Sequence, residues 1–318
     1  MSEAELLPHD RFLESMDSGY GRLGASRASQ ATCRMTQNRL GRELRDRGEI
    51  DLTGTEQDDW SFSVFSQGDE DGLLLAIFSV LGHGGRRVLD IGSGKGLMGN
   101  SANLLVHHRW RGWLVDADAR RQRIARAFFR AQYETRWTMP ALHTRVLRSA
   151  DAMSVLTDLG VPTEVDLLSV DIDGDDLWIL DALHELRPRV VVVEFQHYWA
   201  PDLAVSVPRV RDAGLSAAHR WYMGASLKAF DDLLVARGYE LVAISSGGFN
   251  AFYVHREENR GRISRMTGDQ AAARVEWTVE LAERSRAVSA LPVQPVHVEN
   301  GRLVCDGPPR VVPNEWSR

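Results

Sequence analysis

The sequence predicts an α/β fold: a doubly wound, mainly parallel sheet with helices on both faces. Three observations carry this reading. Arg87–Ile91 is a short apolar run that meets a glycine-rich turn, Gly92-Ser93-Gly94-Lys95-Gly96, followed by a segment with helical spacing from Leu97. Beyond Arg86, strand-like and helix-like stretches alternate. After Arg237 the alternation stops, and Glu240–Ser245 and Asn250–His255 read as two strands joined by a tight turn at Gly247 and Gly248.

Met1–Trp60 is charged and holds one good helical stretch, Gln30–Arg47. It is expected to be a helical N-terminal extension (1–60) that caps the surface; its alternative use is contact with a second copy or a pathway enzyme. Gln67–Asp71 then precedes the apolar helix "GLLLAIFSVLG", with Glu70 or Asp71 as acids capping its N-terminus. Within 61–256 the expected strands are Arg87–Ile91, Gly112–Asp116, His143–Arg148, Asp166–Asp171 and Arg189–Glu194. The expected helices are Leu97–His107, Ala119–Tyr133, Ala152–Leu159, Asp175–Leu186 and Ala225–Arg237. The remainder, 257–318, reads as a packing arm: a charged helix over Asp269–Ala287 and a hairpin over Val296–Cys305, turned by Asn300-Gly301 as a type I′ turn.

At 318 residues and 43% hydrophobic content, the chain can bury a full core. Its longest apolar run, Leu73–Leu81, is too short to span a bilayer, and "MSEAELLPHD" shows no secretory signal. Cys33 and Cys305 are too few and too far apart for a disulfide framework. These features lead to the expectation of a cytoplasmic protein. A net charge of −6 argues against a nucleic-acid partner, and no N-P-P-Y or D-P-P-Y follows the fourth strand.

In an open parallel sheet, ligands bind outside the carboxyl ends of the strands. The first strand brings Asp90 and the glycine turn (Gly92, Ser93, Gly94) to that edge. Twenty positions after Gly96, the second strand ends in Asp116, an acid placed to accept hydrogen bonds from ribose hydroxyls. The third strand leads to Ser149, Ala150 and Asp151. The fourth delivers "DIDGDD" (Asp171, Asp173, Asp175, Asp176), and the fifth delivers Glu194, Gln196, His197, Tyr198 and Trp199. Ten acids fall between Glu164 and Asp202, opposed only by Arg187 and Arg189. Such a cleft attracts a cationic substrate, and the nearby aromatics, including Trp221 and Tyr222, suit sugar C–H faces and ammonium groups. An amino sugar or another polyamine-like small molecule is therefore the expected partner. Blander roles stand beside these: Asp175 and Asp176 as helix caps, Trp178 as core, and His197 as a satisfied histidine. The segment His197–Gly224 has no clear periodicity and suits a lid or binding loop.

The spacing G-x-G-x-G, with an acid in the first strand and another ending the second, resembles the motif of class I S-adenosylmethionine (SAM) methyltransferases. The closing hairpin also matches the order of that Rossmann-like family. Ser66, Gln67, Glu70 and Asp71 resemble a pattern ahead of the glycine loop in its FkbM-like branch. "WYMGASL" and "NAFYV" resemble tailoring methyltransferases of natural-product pathways, in particular the amino-sugar N-methyltransferases of aminoglycoside (gentamicin) biosynthesis. The family resemblance covers about Ser66–His255.

The resemblance implies SAM as cofactor, with S-adenosylhomocysteine as product. It implies a cofactor site of Gln67, Asp90, Gly92, Ser93, Gly94, Asp116, Ser149, Ala150 and Asp171, with adenine near Ser149 and Ala150. Asp173, Glu194 and His197 are the expected proton acceptors, and Asp175, Asp176, Trp199, Trp221 and Tyr222 the expected acceptor-binding residues. Some O-methyltransferases of the family hold Mg²⁺ at these strand ends. Asp171 and Asp173 with Glu194 or Gln196 would serve, although the fifth strand end lacks those families' paired acids or acid–amide. The alternatives are a sugar or polyketide O-methyltransferase, Mg²⁺-dependent or not, and a non-catalytic SAM-binding interaction protein.

Overall fold

The computed structural model describes residues 27–135, 138–209, 221–275 and 279–314. The start of the N-terminal extension and the stretch 210–220 of the expected lid lie outside the described residues. In chain order the elements are α1 (Arg27–Arg47), a 3₁₀ turn (Thr55–Trp60), α2 (Glu70–Leu81), β1 (Arg87–Ile91), α3 (Ala102–His107), β2 (Arg111–Asp116) and α4 (Ala119–Ala131). Then come β3 (Ala141–Thr144), α5 (Ala152–Asp158), β4 (Leu167–Val170), α6 (Asp176–Ala182), β5 (Val190–Glu194) and β6 (Val205–Ser206). The chain continues through α7 (Leu227–Ala236), β7 (Tyr239–Ile244), β8 (Asn250–His255), α8 (Arg256–Asn259), α9 (Gly268–Arg274), α10 (Val279–Ser289), β9 (Gln294–Glu299) and β10 (Arg302–Cys305).

Seven strands form the central sheet in the order β3-β2-β1-β4-β5-β8-β7. The first five are parallel; β8 runs antiparallel to both β5 and β7. This is the expected doubly wound α/β sheet with its closing hairpin. Strand β5 shows why a continuous apolar run was needed. Val190 and Val192 join the core beneath α2 and α3, while Val191 and Val193 join the core beneath α6 and α7. Successive side chains point to opposite faces, and both faces are covered.

Several element boundaries differ from expectation, and the helix expected over Asp175–Leu186 covers only Asp176–Ala182. Helix α3 starts at Ala102 rather than Leu97. Met98 has a positive φ of 67° and gives its N–H to Phe65 O at 2.8 Å, so residues 97–101 turn instead of starting the helix. Strand β3 starts and ends earlier than His143–Arg148. It pairs Ala141–Thr144 with Trp113–Asp116, and where β2 ends it has no further partner; Arg145 makes the last bond, to Asp116 O at 3.0 Å. The expected helix over Asp269–Ala287 is two helices, α9 and α10, with 276–278 between them outside the described residues.

Helix α1 is docked by polar groups as well as Leu44. Gln37 lies buried between Asn103 and His108: its Nε2 donates to Asn103 Oδ1 at 3.2 Å, and its Oε1 lies 2.7 Å from His108 Nε2. Gln30 Nε2 donates to Gln132 Oε1 at 2.8 Å. Gly41 lets α1 approach α2, since a Cβ there would lie 2.8 Å from Ser79 Oγ. The C-terminal arm is joined to the rest by a second sheet, β10-β9-β6. Its turn has positive φ at both Asn300 (50°) and Gly301 (72°), as a type I′ turn requires. No helix among the described residues is long and apolar enough to cross a membrane.

Burial keeps three histidines near this interface neutral. His83 and His107 are pushed down to about 4 and His108 to about 3, chiefly by desolvation. A histidine with a depressed folded pKa takes up a proton in the unfolded chain first, so its contribution to stability is lost as pH falls below about 6.5. Replacing His108 by Gln removes its share of this loss. Between neutral pH and about pH 4.5 the variant's stability, measured by urea unfolding, should gain on the parent by about 2 kcal/mol. A stability difference that does not change with pH would contradict this.

Candidate active site

The carboxyl ends of β1, β2 and β4 border a cleft of about 330 Å³. Its floor is the turn after β1. Gly92 has φ 89°, and a Cβ there would lie 1.6 Å from Asp171 O, so only glycine fits. Gly92 N–H donates to Val115 O at 2.8 Å. Asp116 closes the second side: Oδ2 accepts from Gly94 N at 2.9 Å and Oδ1 from Asp118 N at 2.7 Å. Beside Gly94 the space is open, its nearest possible neighbour being Gly92 O at 3.9 Å. Asp90 is buried below the turn and accepts from Ser101 Oγ. Burial raises its carboxyl to about 6, partly opposed by that hydrogen bond and reinforced by Asp116. Ser93 Oγ accepts from Gln122 Nε2 at 3.0 Å.

The loop ahead of α2 braces this turn. Asp71 Oδ2 accepts from the N–H groups of Val64, Phe65 and Ser66 at 2.7, 2.6 and 3.0 Å. Glu70 holds Gly68 N at 2.7 Å and Asn250 Nδ2 at 3.0 Å. Asp71 thus shapes the preceding loop rather than capping its own helix. Ser66 bridges to Met98, which brings the loop alongside the glycine turn, with Gln67 exposed at its tip.

Among the expected cofactor residues, Gly92, Asp116 and Asp171 line the cleft. Ser149 and Ala150 do not. Because β3 ends early, Arg145–Arg148 leave the sheet beside Asp116 and form that wall, with Val146 and Leu147 as its apolar part. Reading the sequence missed these residues and Arg121. The pairing limit set by the end of β2 was the available signal for the first group.

The acidic turn after β4 is the second half of the site. Asp176 is buried and spent on the backbone: it accepts from Ile172 N at 2.7 Å and Gly174 N at 2.8 Å. Gly174 O in turn accepts from Gly224 N at 3.1 Å, which ties the turn to the "WYMGASL" segment. Asp173 has φ 55°, an uncommon and strained conformation for a non-glycine residue. Carboxylate oxygens of Asp171, Asp173 and Glu194 lie within 4.8 Å of one another. Asp171 and Glu194 are hydrogen-bonded to each other. Burial raises both carboxyls, and the charges around them, Asp176 and Asp173 for Asp171, Asp171 and Asp173 for Glu194, raise them further. Like charges this close do not both ionise, so the pair shares one proton.

His197 packs edge-on to Phe249, with ring centroids 4.6 Å apart, and is pushed down to about 4 by burial and then by Arg284. Trp199 and Tyr222 are buried with Leu281, Val288, Leu291 and Val293 of the arm rather than exposed on a cleft wall. Tyr222 donates to Pro292 O, and Tyr198 to Trp221 O. Trp221 is half-buried beneath the Arg284 guanidinium, 3.7 Å from its ring centroid. Trp178 is core, its Nε1 donating to Val207 O at 2.8 Å. Asp175 lines the cleft beside Asp173.

No family model matches the chain, and no curated protein does. Solved structures with some likeness include cofactor-bound Rv0187 from MTB, at 15% identity and TM-score 0.39 over 80% of this chain and 99% of that one. An O-methyltransferase from Bacillus cereus in complex with SAH matches at 14% and 0.37, over 78% and 91%. N,N-8-amino-8-demethyl-D-riboflavin dimethyltransferase from Streptomyces davawensis matches at 17% and 0.32, over 77% and 75%.

Replacing Gly92 by Ala forces a Cβ into the Asp171 carbonyl at a left-handed φ. Denaturant unfolding should show a loss of at least about 3 kcal/mol. A variant as stable as the parent would contradict the described turn.

Proposed function

We propose that the chain is a SAM-dependent methyltransferase that N-methylates a small cationic acceptor, an amino sugar of the aminoglycoside type. The observation that carries this reading is the meeting, along one sheet edge, of a glycine-floored cleft ending at Asp116 with the carboxyl cluster Asp171–Asp173–Glu194. The cleft suits an adenosyl group. Asp116 retains lone pairs for ribose hydroxyls, Val146 and Leu147 offer an apolar face to adenine, and the space beside Gly94 admits the amino-acid tail. Asp90 and Ser93 support the turn from below. Bound there, SAM supplies an activated methyl group on a sulfonium, so positioning carries much of the rate.

The chain's own residues then have two tasks. The carboxyl cluster draws in an ammonium group and orients it. The amine must shed a proton before its lone pair can attack the methyl carbon. Asp173, exposed at the turn, is the group we assign to accept that proton, directly or through water. Glu194 and Asp171 share a proton, which keeps the cluster from excess negative charge. His197, neutral at physiological pH, packs against Phe249. Asp175, on the cleft wall beside Asp173, completes the acceptor side.

A second reading rests on the same three carboxyls. An all-oxygen set within 4.8 Å suits Mg²⁺, which would polarise a sugar hydroxyl for O-methylation. Asp171, Asp173 and Glu194 would hold it.

Calorimetry with S-adenosylhomocysteine tests the cofactor half. Asp116→Ala should weaken binding by at least about tenfold. Asp173→Ala should bind the product as the parent does, yet lose at least about tenfold in turnover across a mass-read panel of amino sugars. Undiminished turnover would overturn the assignment. Activity that survives EDTA supports N-methylation; activity lost to EDTA and restored by Mg²⁺ supports the second reading.

Glu194→Gln separates the two further, because an amide can replace the protonated acid as donor to Asp171 but is a poor Mg²⁺ ligand. A group whose folded pKa is raised stabilises the fold below its unfolded pKa and loses that contribution as pH rises through the folded value. The parent should therefore lose stability relative to Glu194→Gln from the ordinary carboxyl range towards alkaline pH. Parallel pH profiles in urea unfolding would contradict the shared proton.

A further inference from the structure

A second cavity, of about 430 Å³, lies at the opposite edge of the sheet from the carboxyl cluster. Pro188 leads into β5 there, Tyr239 begins β7 and His255 ends β8. The floor is apolar, formed by Leu168, Val191, Leu183 and Leu234. The cover is the type I′ turn of the C-terminal hairpin: Gly301 O accepts from Arg237 Nε at 2.9 Å. Without the arm this would be an open groove between α6 and α7.

The rim is cationic. Arg187, Arg237 and Arg302 line it, and the nearby carboxylate is Asp181. Asp181 is buried and shared: it accepts from Arg237 at 2.8 Å, from Arg302 at 3.1 and 3.2 Å, and from Leu303 N at 3.2 Å. Arg187 donates to the carbonyls of His184 and Leu186, at 2.7 and 3.2 Å, and pairs with no carboxylate among the described residues. Of the three guanidiniums at this rim, two share the Asp181 carboxylate and Arg187 is bonded only to carbonyls, in a chain whose formal net charge is −6. His184 Nε2 lies 3.4 Å from Arg302 Nη1. An apolar floor with a cationic rim, in a volume typical of small-molecule sites, matches one ligand chemistry.

We propose that this cavity binds an amphipathic monoanion, an apolar body bearing one carboxylate or phosphate, with Arg187 as its principal charge partner. The site is separate from the proposed cofactor cleft and stands whether or not the chain methylates anything.

The probe is octanoate, titrated calorimetrically into the full chain. Octanoate should bind in the millimolar range or tighter, and n-octanol at least about fivefold more weakly. Arg187→Gln should cost octanoate at least about fivefold in affinity. Ala236→Trp, a change at an exposed residue of the cavity mouth, should abolish binding while leaving the thermal transition in place. Saturating S-adenosylhomocysteine should leave the titration unchanged. The proposal is overturned if octanoate fails to bind the parent chain, if octanol binds equally well, or if either variant binds as the parent does. It is also overturned if S-adenosylhomocysteine displaces octanoate, which would place the probe in the other cleft.

Discussion

The contact between Gly92 and the carbonyl of Asp171 is the constraint on which the site depends. A single added carbon would lie 1.6 Å from that oxygen. Around it, Asp171 N–H donates to Ile91 O at 2.9 Å and Gly92 N–H to Val115 O at 2.8 Å. The ends of β1, β2 and β4 are thereby fixed to one another. The loop that floors the cleft and the turn that carries the acids share an edge because glycine permits the two backbones to touch.

The many carboxylates at this edge divide by what they bond. Asp71, Asp116 and Asp176 accept backbone N–H groups and fold the loops that bear them. Asp171, Asp173 and Glu194 instead face one another, where burial and mutual repulsion make a shared proton, a cation or an ammonium group the stable solution. The same residue type thus serves as scaffold and as site, and partner geometry separates the two roles. The histidines beneath α1 show the opposite response to burial: they remain neutral and pack.

Most of the sheet was legible because its signals are local. Apolar runs, a glycine turn and a closing hairpin each depend on neighbouring residues, and Arg87–Ile91 and Asn250–His255 emerge with the expected bounds. Other features depend on distant partners. Strand β3 stops where β2 stops, so the cleft wall falls at Arg145–Arg148 rather than at Ser149 and Ala150. Met98 leaves the helical path because Phe65, far back in the chain, takes its N–H. Trp199 and Tyr222 have the composition of a sugar-binding wall, yet the arm comes back to bury them. Asp176 reads the same as Asp173 in a "DIDGDD" run; only the turn geometry shows that one is bonded to the backbone and the other exposed. Gln37 gives no sign in the sequence that it is a buried docking residue.

A crystal structure of the chain with S-adenosylhomocysteine tests the central claim most directly. With the proposed cofactor site, the ribose hydroxyls should lie on Asp116 and the adenine against the apolar face of Val146 and Leu147, with the sulfur directed towards Asp173 and the Asp171–Glu194 pair. Adenosyl density elsewhere, or a sulfur turned away from that carboxyl cluster, would contradict it.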